Sequence, residues 1–303
     1  LALGLKPGDW FWTVPNTFVA SANCGRYCGA DIDFIDIDPH TYNIDVNLLR
    51  NKLCLAKKNN TLPKILISVH FAGQPTEQEM IWSLAKEFGF KIIEDASHAI
   101  GASRHGEWVG SCKWSDVTVF SFHPVKIITT GEGGIALTND KELFSRMQIL
   151  RSHGISRELN QKQSRVDGEW FYDQIDLGYN YRMSDIHAAL GLSQLSRLSE
   201  FVHKRNEIAS RYDDLLKGLP LQIPKILPEN SSAFHLYVVR LNLMAIKKTY
   251  LEVFNSLRDN GVGVNLHYMP VHLHTYYKRL GFSSGMFLES EKYSEEAISL
   301  PIY

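Results

Sequence analysis

From about Phe11 to Ile135 the chain alternates short β-rich runs with amphipathic stretches, and this alternation limits the fold more than any other feature of the sequence. Such a pattern is the sign of βαβ units around a mainly parallel sheet. The predicted strands are "DIDFIDID" (31–38), "KILISVHF" (64–71), "KIIED" (91–95), "VTVFSF" (117–122) and "GGIALT" (133–138). Between two of them, "TEQEMIWSLAKEFG" places Met80, Ile81, Leu84, Ala85 and Phe88 at three- and four-residue spacing and closes on Gly89, as a surface helix does. The polar stretch "HGISRELNQKQSRVDGEWFYDQIDLGYNYRM" (153–183) breaks the pattern and is long enough to read as a functional loop. Beyond it Ser184 can cap one long helix running towards Lys217, with Ile186, Leu190, Leu195, Leu198 and Val202 on a buried stripe. A strand at "AFHLYVVRL", a helix at "IKKTYLEVFNSLRDNG" and a strand at "GVGVNLHY" complete a smaller α+β unit. The expected division is a large domain over 1–204 and a small one over 205–303, a natural partition for 303 residues.

Charge and cysteine content narrow the partners. A formal net charge of −1 leaves no broad basic field for nucleic acid or an anionic membrane, although a local patch such as Lys204-Arg205 can hold an anionic ligand. Cys24, Cys28, Cys54 and Cys112 lack paired metal-type spacing and the density of a disulfide scaffold, so free thiols in a cytoplasmic protein are expected. No apolar run nears the roughly 20 residues that span a bilayer, and "LALGLKPGDW" has no basic start or cleavage site. "LALGLKPGD" reads as the last turn of a helix whose beginning is missing, and "EEAISLPIY" stops after a helix-to-extended transition, so a fragment at both ends is expected.

Two segments carry candidate chemistry. In "IIEDASHA" the pair Glu94-Asp95 ends an apolar strand and His98 follows in a small-residue turn. Ligands of open α/β sheets bind beyond the carboxyl ends of strands, so an acid there faces the crevice, although Asp95 equally suits a helix N-cap. In "FSFHPVKIITTGEGG" Lys126 follows another strand end. A lysine there is either an ordinary loop lysine or, with Asp95 across a cleft, the pair that pyridoxal phosphate chemistry uses: the acid keeps the pyridine nitrogen protonated and the lysine forms the Schiff base. The apolar approach "FSFHPVK" would lower the lysine pKa by desolvation. Phe18 in "VPNTFVASAN" can stack on a pyridine ring or simply pack in the core, and Ser121 can donate to a phosphate. The glycines of "TTGEGG" permit a tight turn beside the site. His267, His272 and His274 cluster in "HYMPVHLH", but no carboxylate or cysteine completes a metal ligand set.

Together "TVPNTFVASAN", "IIEDASHAIGA", "VFSFHPVKIITTGEGGIALTND", "RSHGI", "LGYNYRMSDIHAALGLSQL" and "VNLHYMPVH" resemble, in order over nearly the whole chain, the DegT/DnrJ/EryC1 family of nucleotide-sugar aminotransferases. "EDASHAIGA" and "FSFHPVKIITTGEGG" are most similar to the branch that aminates C4 of a UDP-linked 4-keto-6-deoxy-N-acetylhexosamine in pseudaminic acid biosynthesis. The resemblance implies the type I, aspartate aminotransferase-like α/β fold, pyridoxal 5'-phosphate as cofactor, glutamate as amino donor and a homodimer with shared sites. It implies that Lys126 holds the cofactor, Asp95 partners the pyridine nitrogen, His98 lies beside the ring hydroxyl, Phe18 stacks and Ser121 binds phosphate. Asn180 matches an asparagine that reaches the neighbouring subunit's cofactor, Arg182 faces the sugar nucleotide, and His267, Tyr268 and Met269 form a substrate-side segment, His267 being open to a structural role as well. Family members carry a phosphate-gripping helix N-terminus ahead of "ALGLKPGD", and its absence here implies weaker cofactor binding by this chain. Three other functions stay open: an aminotransferase for another keto sugar or nucleotide, the dehydratase branch, against which Lys126 argues despite nearby His123, and a non-enzymatic binding or regulatory protein.

Overall fold

The structure, a computed structural model, describes residues 1–156 and 170–303. Its strands are β1 (Trp10–Thr13), β2 (Asp31–Phe34), β3 (Ile65–Val69), β4 (Lys91–Asp95), β5 (Ser103–Arg104), β6 (Glu107–Trp108) and β7 (Val117–Ser121). There follow β8 (Gly134–Leu137), β9 (Ile155–Ser156), β10 (Asp173–Gln174), β11 (Leu221–Gln222), β12 (Asn230–Ser231), β13 (Tyr237–Leu241) and β14 (Ala297–Leu300). The helices are α1 (Ala20–Tyr27), α2 (Val46–Asn59), α3 (Gln78–Phe88), α4 (Lys141–Arg151), α5 (Asp185–Leu195), α6 (Leu198–Leu215), α7 (Tyr250–Asp259), α8 (Thr275–Lys278) and α9 (Leu288–Glu296).

Six strands form the main sheet in the order β2-β1-β3-β4-β7-β8, parallel except for the antiparallel β7/β8 edge. The five strands predicted for this region all form, though shorter at their ends than expected except β4. The strand missing from the prediction, β1, lies inside the sheet between β2 and β3. Its sequence "WFWT" shows no polar alternation because both sheet faces are covered. Phe11 packs with Ala22, Ile32 and Ile67 on one side, whereas Trp12 packs with Leu49, Leu66 and Ile92 on the other.

The helices begin and end where local chemistry directs. Asp45 accepts from the Asn47 and Leu48 amides at the start of α2, Asn60 in the left-handed region closes it, and Gly89 closes α3 with φ 80°. In α3 the predicted stripe holds at Ile81, Leu84 and Ala85, which are buried, but Met80 is exposed and Gln78 is buried in its place. Gln78 accepts from Ser68 and Thr76 and donates to the Trp114 carbonyl, so its burial leaves neither end of the amide unpaired.

Several expectations for the second half are corrected. The single long helix is two, α5 and α6, separated at Ser196 and Arg197. Leu198 and Val202 pack against a small core of Ala96, Ala99, Phe120 and Ile128, but α5 buries no residue, and Ile186 is 83% exposed. "GVGVNLHY" is not a strand: only Asn265 bridges to Ser299, and the chain turns across the end of β1, where the Val271 amide donates to the Pro15 carbonyl. The Lys204-Arg205 patch does not exist as a surface cation pair. Lys204 pairs with Glu200, while buried Arg205 donates from Nη1 to the carbonyls of Phe234, His235 and Ile302. Residues 1–9 form two turns, the first closed by the Gly4 amide donating to the Leu1 carbonyl with Gly4 in the left-handed region. Of the polar stretch 153–183, residues 157–169 lie outside the described residues.

A three-stranded antiparallel sheet, β11-β13-β14, packs its Tyr237, Val239 and Ile298 with Ala209 of α6 and Val253 of α7. The opposite side of this sheet is tied to the main core, since Val238, Ala297 and Tyr293 of α9 join the cluster around Trp12 and Leu66. Among the described residues no helix is long and apolar enough to cross a membrane.

The tightest helix–sheet approach is at Gly25, where an added Cβ would lie 2.4 Å from the Phe11 ring. Gly25→Ala is therefore expected to push α1 off β1 and cost about 1–3 kcal/mol, the usual range for overpacking. Urea unfolding would read this as a lower midpoint at unchanged slope; an unchanged midpoint would show that the ring can move aside.

Candidate active site

Parallel strands send their carboxyl ends to one edge, and here β1, β4 and β7 deliver Phe18, Asp95 and Ser121 with Lys126 to that edge. The sheet reverses its winding between β1 and β3, the place where a crevice opens.

Asp95 is held from two directions. Its Oδ2 accepts from Ser21 Oγ of α1 at 2.5 Å, and its Oδ1 accepts from Ser97 Oγ at 2.6 Å and the Ser97 amide at 3.1 Å. The cap-like turn and the crevice-facing acid, alternatives in the sequence, are thus the same geometry: Ser97 closes the turn while Ser21 reaches the second oxygen. Glu94 points the other way. It is buried, accepts from Ser115 at 2.9 Å and from Thr118, and has His70 Nε2 at 3.3 Å without hydrogen-bond alignment. Burial pushes its carboxyl up, but His70, Thr118 and Ser115 outweigh that and hold it below the usual range.

Lys126 follows Ser121 through a turn in which its amide donates to the His123 carbonyl. The side chain is half-buried, and burial lowers its pKa, with the Asp95 charge offsetting part of the effect. Three imidazoles feel this ammonium: His98, His235 and His267 all have pKa values depressed first by burial, with Lys126 adding to the depression. A neutral imidazole shell around one amine results.

His98 is buried, with Nε2 3.2 Å from Tyr268 Oη and Nδ1 without a partner. The Tyr268 amide donates to Asn16 Oδ1 at 3.3 Å, and its ring lies 6.0 Å from Phe18, centroid to centroid. His267 shares Nδ1 with Ser299 Oγ at 2.8 Å, which gives it a structural contact, and Met269 is exposed. The other histidines of "HYMPVHLH" diverge, since His272 is buried against Glu291 at 2.9 Å. Among the described residues no group of three His, Cys, Asp or Glu is arranged to hold a metal.

Phe18 is 58% exposed, which fits neither the core-packing reading nor a finished ring contact within this chain. It borders a cavity of about 900 Å³ whose wall includes Val119, Ile135, Phe144, Tyr179, Tyr181 and Met183. Asn180 and Arg182 lie on this exposed segment and meet each other, Arg182 Nε donating to Asn180 Oδ1 at 3.2 Å. Among the described residues Ser121 Oγ has only a long contact of 3.4 Å, accepted from the His123 amide. Sequence reasoning did not find Ser21, Ser97, Asn16 or His235 as site residues. Ser21 and Asn16 lie inside "VPNTFVASAN", but their partners are Asp95 and Tyr268, far along the chain.

The DegT/DnrJ/EryC1/StrS aminotransferase family matches residues 1–303. The chain belongs to this family. It is 41% identical to the UDP-4-amino-4,6-dideoxy-N-acetyl-beta-L-altrosamine transaminase of Campylobacter jejuni over 92% of its own length and 70% of that protein. Among solved structures it is similar to Helicobacter pylori PseC, an aminotransferase involved in the biosynthesis of pseudoaminic acid, with a TM-score of 0.85 and 31% identity over 97% of this chain and 74% of that one. A PLP form of Spr1654 from Streptococcus pneumoniae gives a TM-score of 0.85 at 29% identity, covering 99% of this chain and 77% of that one. The chain has the fold of the pyridoxal-phosphate-dependent aminotransferases and is a sugar aminotransferase that uses this cofactor.

The residues present fit that group. A carboxylate fixed by two serines, a desolvated amine and a buried imidazole with an unpartnered nitrogen stand at one sheet edge. The carboxylate can accept from a pyridinium N–H, the amine can bond to the cofactor's carbonyl carbon, and the unpartnered imidazole nitrogen can meet a polar group of the ring.

Because Lys126 has its pKa depressed by folding, the folded state disfavours the proton that the unfolded chain binds. Stability therefore rises with pH from the depressed value up to the ordinary lysine range near 10.4. Lys126→Met in the cofactor-free protein is expected to melt a few degrees higher at pH 7, with the gain fading as pH approaches that range. Calorimetry across this window would check it, and a variant that melts no higher at pH 7 would show the amine to be well solvated.

Proposed function

We propose that the chain transfers an amino group from glutamate to the C4 keto carbon of a UDP-linked 4-keto-6-deoxy-N-acetylhexosamine, as in pseudaminic acid or related amino-sugar biosynthesis. The observation that carries the reading is the desolvated amine of Lys126 facing Asp95 within a shell of neutral imidazoles. When bound, pyridoxal 5'-phosphate supplies the carbonyl carbon that takes the amino group and the electron sink that makes the donor's α-proton acidic.

The chain's own residues would do the rest. Lys126 Nζ takes the proton from the α-carbon of glutamate in the first half-reaction and delivers a proton at C4 of the sugar in the second. A pKa lowered by burial suits both tasks, because the amine gives up its own proton more readily and is a stronger acid once protonated. Asp95, locked by Ser21 and Ser97, presents a negative charge to the pyridine nitrogen without needing to reorganise. His98 would stand beside the ring hydroxyl, Phe18 would cover one ring face and Ser121 would donate to the phosphate. His267, Tyr268 and Met269 border the sugar, with Tyr268 already tied to His98. The preference for a UDP-linked hexosamine is supported by the 41% identity to the Campylobacter enzyme.

The same reading makes the protein a homodimer with shared sites, working in the cytoplasm. Along α5, Ile186, Leu192 and Leu195 are 83, 69 and 48% exposed, and the neighbouring Tyr179 and Tyr181 stack at 4.7 Å on the surface. An apolar face of this kind is the type that a partner covers. In that arrangement Asn180 would serve the cofactor phosphate of the second subunit and Arg182 the sugar nucleotide.

Two experiments test this. With pyridoxal 5'-phosphate the wild-type protein is expected to show a visible absorption band that Lys126→Ala lacks and that glutamate bleaches. Turnover should then appear with the UDP-4-keto-6-deoxy-N-acetylhexosamine and not with dTDP- or GDP-linked or 3-keto sugars; the reverse preference would move the function to another branch. Second, Lys126→Ala, impaired at least about 10²-fold because it lacks the proton-transferring amine, and Asn180→Ala, impaired because it lacks a ligand of the cofactor phosphate, are expected to recover activity when unfolded and refolded together. Mixed dimers would contain one intact site, so the absence of recovery would place Asn180 in its own subunit's site.

A further inference from the structure

His235, at the start of β13's approach, is a buried histidine to which neither the family resemblance nor the proposed reaction gives a task. Its ring centroid lies 4.4 Å from that of His98, with 40° between the planes. The Tyr268 ring lies 6.2 Å from that of His98 at 23° between the planes, with its hydroxyl at His98 Nε2. The backbones are as close as the rings. A Cβ on Gly73, whose φ is 103°, would stand 2.9 Å from both the His98 carbonyl oxygen and the His235 amide nitrogen, so only glycine lets these two segments meet. Arg205 fixes the far side by donating to the Phe234 and His235 carbonyls at 3.1 and 3.3 Å.

The hydrogen bonding of the pair leaves ring packing to set orientation. His98 makes one side-chain hydrogen bond in this structure, at Nε2, while Nδ1 of both His98 and His235 is buried and unpartnered. One bond leaves the ring free to turn about it. The ring packed closest against His98 is that of His235, and it restricts that turning. The groups facing His235 are Lys126, Arg205, His98 and His267, the first two cationic, so a proton on His235 would be repelled and the ring stays a neutral plate.

We propose that His235 is a positioning residue: its neutral ring, packed at a tilt against His98, holds the His98 ring so that the imidazole meets the bound cofactor in one orientation. This rests on the proposed role of His98, and the experiment separates the two. In cofactor-free protein labelled with 13C-histidine, and with His98 assigned through His98→Gln, wild-type His98 is expected to show one sharp set of ring resonances at pH 7. His235→Leu, similar in volume but not flat, should split or exchange-broaden that set, whereas His235→Phe should keep it single and sharp. Equilibrium binding of pyridoxal 5'-phosphate should weaken about tenfold with His235→Leu in the wild-type background, and less than about twofold when His98 is already Gln, because the effect passes through His98. A single sharp set for His98 in the Leu variant, or equal losses in both backgrounds, would overturn the proposal. If the Leu variant fails to fold, the Phe variant decides: split or broadened His98 resonances there would refute the packing role and a single sharp set would support it. Wild-type protein that keeps one sharp set for His98 yet binds no pyridoxal 5'-phosphate would instead sink the role assigned to His98.

Discussion

The grip of two serines on Asp95 is the interaction around which the rest of the site is arranged. Ser21 belongs to α1 and Ser97 to the turn after β4, so the carboxylate reports the distance between a helix on one side of the sheet and a central strand. That distance depends on β1, which lies beside β3, and on Gly25, whose missing side chain lets α1 settle on Phe11. Packing in the cluster around Phe11 is thus converted into the placement of a charge. A half-buried carboxylate anchored by a fixed donor on each oxygen does not wander, and a fixed charge is what stabilises charge developing nearby without reorganisation. Glu94, one residue earlier and facing away, anchors the same strand from the other side through Thr118, Ser115 and His70.

Much of this could be read from the sequence, and the failures have a common cause. Predicted strands with turn signals or an acid at their ends were found, including "KIIED" at its observed bounds. β1 was not, because a strand buried on both faces loses the alternation that marks a strand, and "WFWT" looks like any apolar run. Lys126, Asp95 and His98 come together at one sheet edge, each at or just beyond a strand whose end was legible, whereas Tyr268 joins them from a segment that was misread as a strand. Ser21 and His235 were invisible as site residues, since their importance lies in contacts 74 and 137 positions away along the chain, to Asp95 and His98. The "GVGVNLHY" segment misled for a related reason: its β-rich composition suits an extended path across the end of β1 as well as a ladder, and tertiary contacts chose the path.

The error over α5 and α6 is more informative. A helical pattern of apolar residues from Ile186 onwards was read as one stripe facing one core. The structure divides it: Leu198 and Val202 of α6 meet the core beneath the Asp95 turn, whereas Ile186, Leu192 and Leu195 of α5 face outward. Periodicity reports that a face is apolar and is silent on what covers it. Here the apolar residues of α5 outnumber what a lone solvated helix would carry, and they continue into Tyr179, Tyr181 and the cavity that contains Phe18.

This continuity links assembly to chemistry. Phe18 stands 58% exposed on the rim of the site, close to Tyr268 within the chain and open on the cavity side. A second subunit seated on the tyrosine-rich surface would shield that side and exclude water from the face of the ring, strengthening every interaction of Asp95 and Lys126 with a bound cofactor. The desolvation that depresses the Lys126 pKa is already partly built by the neutral imidazoles of one chain. Covering the open side would deepen it, so oligomerisation and amine activation become two consequences of one surface. The neutrality of His98 and His235 matters in the same way: a charged imidazole beside Lys126 would repel its proton but attract water into the shell, whereas a neutral stack lowers the amine's proton affinity while keeping the floor of the site dry.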